Sequence, residues 1–210
     1  MIQLGMILSA VLGLALTPVT ARVVARSQAR FRWIPIPLSV GLFVVLWVSA
    51  ERLLELRPLF VVGLASVAAV LATHVVIDLC VRRLLRELSY AGLAAFVVCA
   101  VFTDPMDASG PSGMVVGLVA MTAIAALLVM VSRGALGLGD LHLSPLLGAL
   151  IGWFAPSAVL LAWMITAITG ALVTTTGLAT RRLSRGSMIP YGPFLVLGAV
   201  ASVVVIAMRT

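Results

Sequence analysis

The sequence contains no lysine, and aspartate and glutamate together account for only 7 of its 210 residues. Charged residues make up 10% of the chain and hydrophobic residues 62%. Soluble domains are roughly 45–50% apolar. The composition therefore excludes an ordinary soluble domain and indicates an integral membrane protein.

Cysteine is equally scarce. Cys80 and Cys99 are the only two, they lack the CxxC spacing, and two thiolates are too few for a four-cysteine zinc site. We interpret both as small packing residues. We expect neither a metal nor another cofactor.

Long loops are also missing. The longest predicted loops are residues 22–32 and 104–112, which leave no room for a soluble domain. We therefore treat residues 1–210 as a single integral-membrane domain, and we expect the first apolar run to be a retained helix because it lacks the basic flank of a secretory signal. Any chemistry must come from side chains within the helices or at their ends.

What the chain does contain is a series of long uncharged runs. A helix needs about 20 apolar residues to cross a ~30 Å hydrocarbon core. The runs cover residues 1–21, 33–50, 58–77, 88–103, 113–132, 141–180 and 186–208. The run at 141–180 is too long for one span, and the turn-forming sequence WFAPS at 153–157 divides it. The prediction is an all-α polytopic membrane protein with about eight transmembrane helices and an outside N-terminus; seven and nine helices are the neighbouring alternatives.

The arginines agree with this topology. Because the chain has no lysine, arginine supplies all 14 basic residues behind the net charge of +7. In the eight-helix arrangement only Arg52, Arg57 and Arg209 fall outside, and the others lie on the cytoplasmic side, as the positive-inside rule requires. The basic excess thus reflects membrane orientation, and we expect no nucleic-acid partner.

Two carboxylates stand apart from the other five, which lie in predicted outer loops or among arginines. Asp78 and Asp140 each lie at the predicted cytoplasmic end of a span. Each has an ordinary alternative: Asp78 could pair with Arg82 four residues further along the helix, and Asp140 could cap a helix over residues 141–154.

Taken together, the two aspartates predict a functional site, because ionisable groups at membrane depth are costly and tend to serve function. Two neighbouring carboxyls share a proton, so one can polarise a peptide carbonyl while the other takes a proton from water. This is aspartic peptidase chemistry, and it requires no metal. It predicts a pH-dependent rate with apparent pKa values that belong to the pair.

Glycines precede Asp140 in the stretch GALGLGDLHL at 134–143. Gly137 and Gly139 have no Cβ, permit unusual backbone angles, and would let an extended substrate backbone approach Asp140. His142 either tunes Asp140 or is an ordinary interfacial residue. His74, four residues before Asp78, is a further candidate because it shares that helix face.

Three segments together resemble the type 4 prepilin peptidases, which are membrane aspartic peptidases of the GxGD class. The segments are IDLCVRRLLREL at 77–88, GLGDLHL at 137–143 and MIPYGPFLVLGA at 188–199. The resemblance runs from about residue 60 to residue 205, and the peptidase-like core is placed at about 58–208. It implies that Asp78 and Asp140 are the catalytic pair, with Gly137, Gly139 and His142 as the supporting motif.

The resemblance also implies a function. Family members remove the short basic leader of prepilin-like precursors, which serve type IV pili and protein secretion, near the cytoplasmic face of a bacterial or archaeal plasma membrane. The expected partners are the precursor and the lipid bilayer, and the oligomeric state stays open. The alternatives are a catalytically inactive member that acts in pilus assembly and a proton-coupled transporter.

The sequence departs from the family pattern at several positions. Leu85 and Arg86 stand where Pro and Asn are expected, and His142 replaces a basic residue. Residues 22–32 offer no counterpart of the cysteine-containing cytoplasmic domain that longer members link to zinc and to N-methylation, so we expect no methyltransferase activity. Pro190, Gly192 and Pro193 are expected to shape the entry of the last helix rather than to contact substrate.

Overall fold

α-Helices make up nearly all of the structure. The computed structural model describes residues 2–24, 34–51, 58–103, 109–132, 137–184 and 189–209, and within these residues it contains nine helices and no strand. The helices are α1 (Ile2–Ala15), α2 (Thr17–Val24), α3 (Pro35–Glu51), α4 (Pro58–Val81), α5 (Arg86–Val101), α6 (Gly110–Val131), α7 (Leu138–Phe154), α8 (Ala158–Ala179) and α9 (Gly192–Arg209).

Five helical stretches are long and apolar enough to cross a membrane. They are Ile2–Val24, Pro58–Val81, Gly110–Val131, Ala158–Ala179 and Gly192–Arg209. Between them lie α3, α5 and α7, which have 16 or 17 residues each. The prediction of an all-α polytopic membrane protein is confirmed, and the exact number of eight crossings stays a prediction.

The first predicted run is interrupted, which the sequence reading did not anticipate. Leu16 separates α1 from α2, two residues before Pro18. Proline has no N–H and cannot bond to the carbonyl four residues earlier. For Pro18 this is the carbonyl of Leu14, and the hydroxyl of Thr17 donates to it instead, at 2.7 Å.

The remaining boundaries follow the charged and turn-forming residues. The long run at 141–180 is divided at 155–157, inside the predicted turn. α4 continues past Asp78 to Val81, and α5 begins at Arg86, so a connection of only four residues joins them.

α4 is the central helix of the bundle. It packs against α1, α2, α3, α5 and α9, and it is buried along most of its length. Its position carries Asp78, near its C-terminus, into the interior of the protein.

α6 and α7 approach each other closely through glycines. Gly117 of α6 faces Gly148 and Gly152 of α7, and a Cβ at residue 117 would collide with the backbone of both. Small residues permit such backbone contact between membrane helices. This tight pair fixes α7, whose N-terminal turn carries Asp140.

Candidate active site

Asp78 lies in the last turn of α4 and is 5% exposed. The helix ends three residues later because Arg82 adopts a left-handed backbone conformation, with φ 56°. The N–H of Arg82 donates to the carbonyl oxygen of Asp78 at 2.9 Å. The chain therefore turns away from the helix directly beyond the aspartate.

The carboxylate of Asp78 is held by the start of α9. The N–H of Gly192 donates to Oδ2 of Asp78 at 2.9 Å, and a Cβ at residue 192 would lie 2.8 Å from that oxygen. Any larger residue at this position would therefore displace the carboxylate of Asp78. Sequence reasoning missed this contact, although the third family-like segment, at 188–199, was a signal for it.

The alternative partner for Asp78 does not form an ion pair with it. Within the described part of the chain, the one ion pair shorter than 4.0 Å joins Arg86 to Glu87, on the surface. Arg82 is close enough to Asp78 for their charges to interact, but the hydrogen bond to the carboxylate comes from Gly192.

Asp140 is the third residue of α7 and is 6% exposed. The alternative that it caps a helix over residues 141–154 is wrong, because the helix already begins at Leu138 with Gly137 as its N-cap. Gly137 and Asp140 bond to each other twice. The N–H of Gly137 donates to Oδ2 of Asp140, and the N–H of Asp140 donates to the carbonyl oxygen of Gly137, both at 3.1 Å.

Of the two glycines before Asp140, Gly139 matters for close packing, and neither uses an unusual backbone angle. Gly137 has an extended conformation with φ −75°, and Gly139 is helical, so neither adopts the unusual backbone angles that glycine permits. A Cβ at Gly139 would lie 2.9 Å from Cβ of Leu84. Gly139 therefore lets the connection between α4 and α5 pack directly onto the first turn of α7.

Asp78 and Asp140 line one pocket, which we call the aspartate pocket. Its volume is about 280 Å³, and both carboxyl-bearing residues belong to its lining. Its other lining residues come from the connection after α4 and from the start of α7: Arg82, Arg83, Leu84, Gly137, Leu138 and Gly139. Two segments far apart in sequence thus form one acidic cleft with a basic rim.

A comparison with family models adds independent information. The model of the type IV leader peptidase family matches residues 65–175, which is more than half of the chain and includes both aspartates. The chain belongs to the type IV leader peptidase family. No curated protein and no solved structure matches it. Family membership indicates a peptidase.

His142 does not line the aspartate pocket. Its Nδ1 lies 2.8 Å from the hydroxyl of Tyr90 on α5, and the two rings meet nearly edge to face at 5.7 Å. His142 instead lines an adjacent pocket. The contact connects α5 to α7, which places His142 beside the site and away from the carboxylate of Asp140.

His74 of the peptidase is fully buried, one turn before Asp78. Its Nε2 lies 3.0 Å from the hydroxyl of Ser89 on α5, and its Nδ1 has no hydrogen-bond partner among the described residues. Ser89 also donates to the carbonyl of Leu85 at 3.3 Å. His74 therefore holds α5 against α4 near the connection that lines the aspartate pocket.

Tyr191 was also missed by sequence reasoning. It immediately precedes Gly192, and its ring contacts that of Phe194 with centroids 6.2 Å apart. Burial and, to a lesser extent, the nearby Asp140 carboxylate raise the pKa of the Tyr191 phenol above its ordinary value. Tyr191 thus stands directly before the residue whose N–H donates to Asp78.

Proposed function

We propose that the chain is a membrane aspartic endopeptidase that removes the short basic leader of prepilin-like precursors at the cytoplasmic face of the membrane. The observation that carries this proposal is the arrangement of Asp78 and Asp140 in one pocket. Among the described carboxylates, Glu87 is exposed and paired with Arg86, so it does not compete for this role.

The hydrogen bonds of the pair suit this chemistry. One oxygen of each carboxyl accepts a backbone N–H, from Gly192 for Asp78 and from Gly137 for Asp140, and no described residue donates to the other oxygen. Backbone groups orient both side chains without neutralising them. The second oxygens are left for a water molecule, a proton or the substrate.

The reaction requires one ionised and one protonated carboxyl. The carboxylate takes a proton from water as the water oxygen bonds to the scissile carbonyl carbon. The protonated carboxyl gives its proton to the carbonyl oxygen. When the tetrahedral gem-diol collapses, the C–N bond breaks, the leaving nitrogen receives a proton from the first carboxyl, and one gem-diol hydroxyl returns its proton to the second carboxylate.

The surroundings of the pocket support a cut at the membrane surface. Arg82 and Arg83 are exposed at its rim, and positive side chains favour the cytoplasmic side. Leu138, also at the pocket, is 65% exposed, and Leu79 is 57% exposed one residue after Asp78. These apolar side chains offer a surface for the apolar helix that follows the leader in prepilin-like substrates.

The proposal is tested by reconstituting the full chain in lipid and adding a pilin-like precursor from the same genome. Mass spectrometry of the new N-terminus should show one cut at the leader boundary, absent with Asp78→Asn and with Asp140→Asn. Asp107→Asn is the matched control, because the sequence assigns that carboxylate to an outer loop. Binding of the precursor without any cut would instead support an inactive member that acts in assembly.

A further inference from the structure

A second and larger pocket lies next to the aspartate pocket. We call it the arginine pocket; its volume is about 580 Å³. It forms where α2, the connection between α4 and α5, and the start of α7 meet, and its lining includes Arg22, Arg83, Leu84, Arg86, Leu138 and His142. Arg83, Leu84 and Leu138 line both pockets. The proposed peptidase mechanism does not use the arginine pocket.

Positive charge in the arginine pocket is only partly compensated. Its lining includes three arginines and one carboxylate, Glu87, which is already bonded to Arg86 at 2.8 Å. No described carboxylate lies within 4.0 Å of Arg22 or Arg83. Two guanidinium groups with no carboxylate partner among the described residues therefore border one concave site. Guanidinium groups bind phosphate well because their planar N–H groups match its oxygens.

Most of the remaining lining is apolar, with His142 as the polar exception. Val23, Val81, Leu84, Leu85 and Leu138 form this part of the wall. The pocket also lies where apolar helices end: Arg22 is in the last turn of α2, and Val81 is the last residue of α4. Cationic side chains beside apolar ones, at the depth of the bilayer surface, match an anionic headgroup with its acyl chains.

We propose that the arginine pocket binds a phosphate-bearing anion between Arg22 and Arg83, and that an anionic phospholipid of the surrounding membrane supplies it. The bound phosphate would bring α2 and the connection after α4 together. Because Leu84 of that connection packs on Gly139 and lies beside Gly192, the lipid would also support one wall of the aspartate pocket. The binding itself does not depend on peptidase chemistry.

Binding is measured on the purified full chain in a neutral detergent by native mass spectrometry. Phosphatidylglycerol and phosphatidylcholine are titrated separately, and inorganic phosphate is added as a competitor. We expect phosphatidylglycerol to be retained and phosphatidylcholine to be lost. Inorganic phosphate that displaces the lipid or binds equally well would identify free phosphate as the source of the anion.

Variants decide whether the site is the arginine pocket. Arg22→Gln combined with Arg83→Gln should weaken phosphatidylglycerol binding about tenfold or more. Arg181→Gln combined with Arg182→Gln removes the same charge from exposed arginines that do not line the pocket, and it should leave binding unchanged.

The proposal is overturned if both pairs of changes weaken binding equally, if phosphatidylcholine binds as well as phosphatidylglycerol, or if neither anion binds. Should the glutamine pair fail to fold, Arg22→Gln and Arg83→Gln are made singly; each should weaken phosphatidylglycerol binding, and unchanged binding in both would overturn the proposal. Because no readout uses cleavage, these results are independent of whether the chain is a peptidase.

Discussion

Replacing Gly192 with alanine places a methyl group against the carboxylate of Asp78. The new Cβ would lie 2.8 Å from Oδ2 of Asp78 and 3.3 Å from Cδ2 of Leu84. The backbone itself accepts alanine, because Gly192 begins α9 and is not in a left-handed conformation. The N–H that donates to Asp78 is also retained. The change therefore perturbs the position of one carboxylate with little effect on the fold.

The size of the effect follows from this distance. Restoring ordinary contact, which begins at 3.4 Å, requires Asp78 to move by about 0.6 Å. A misplacement of about 1 Å in a reacting group can cost roughly 100-fold in rate. We therefore expect Gly192→Ala to lower kcat about tenfold, and to change the free energy of unfolding by less than about 1.5 kcal/mol because Asp78 can shift toward the pocket.

The assay is leader removal under saturating precursor, together with thermal unfolding of the same preparations. Gly41→Ala is the control, because no atom lies within 4 Å of a Cβ at residue 41 in α3. It should leave kcat unchanged. Wild-type kcat in Gly192→Ala would refute the claim that the start of α9 positions the carboxylate of Asp78 for the proposed reaction.

Three further predictions follow from the packing and the chemistry. Gly117→Val should lower the stability of the solubilised protein by roughly 1–3 kcal/mol, seen as a lower unfolding midpoint, because the side chain collides with the backbone of α7; an unchanged midpoint would argue against this close helix contact. Ser89→Ala should cost about 1–3 kcal/mol because Nε2 of buried His74 loses its partner, whereas Ser66→Ala, which removes only a bond within α4, should cost less. The cleavage rate should fall at both low and high pH, because the pair needs one proton and works neither fully protonated nor fully ionised; a flat profile with rate-limiting chemistry would contradict this.

Long uncharged runs made the helical segments predictable, because the cost of exposing charge or backbone in lipid leaves few alternatives. The turn at 155–157 was also predictable. The run at 141–180 is too long for one membrane span, and Pro156 lies in a turn-forming sequence within it. The break at Leu16 was missed because one proline within an apolar run gives no sign of whether the helix bends or stops. α4 extends beyond the predicted run to Val81, and the left-handed backbone of Arg82 follows directly after it.

The site was less predictable than the helices. Motif order indicated Asp78 and Asp140 as a pair, and positive-inside reasoning assigned them to one membrane face. The donor to Asp78, however, is 114 residues away, and no local pattern connects the two positions. His142 was considered as a residue that tunes Asp140 because it lies only two residues further along the chain. Its ring instead contacts Tyr90 of α5. Contacts between helices depend on their rotation and spacing, which local sequence does not report.

The most direct test of the central claim is a comparison of single-turnover cleavage rates for Asp78→Asn, Asp140→Asn and the double variant. If the two carboxyls act as one unit, each single change should lower the cleavage rate by about 1,000-fold or more. The double variant should then cleave no more slowly than the slower single variant. Near-normal cleavage by either single variant, or losses that multiply in the double variant, would contradict a shared catalytic pair.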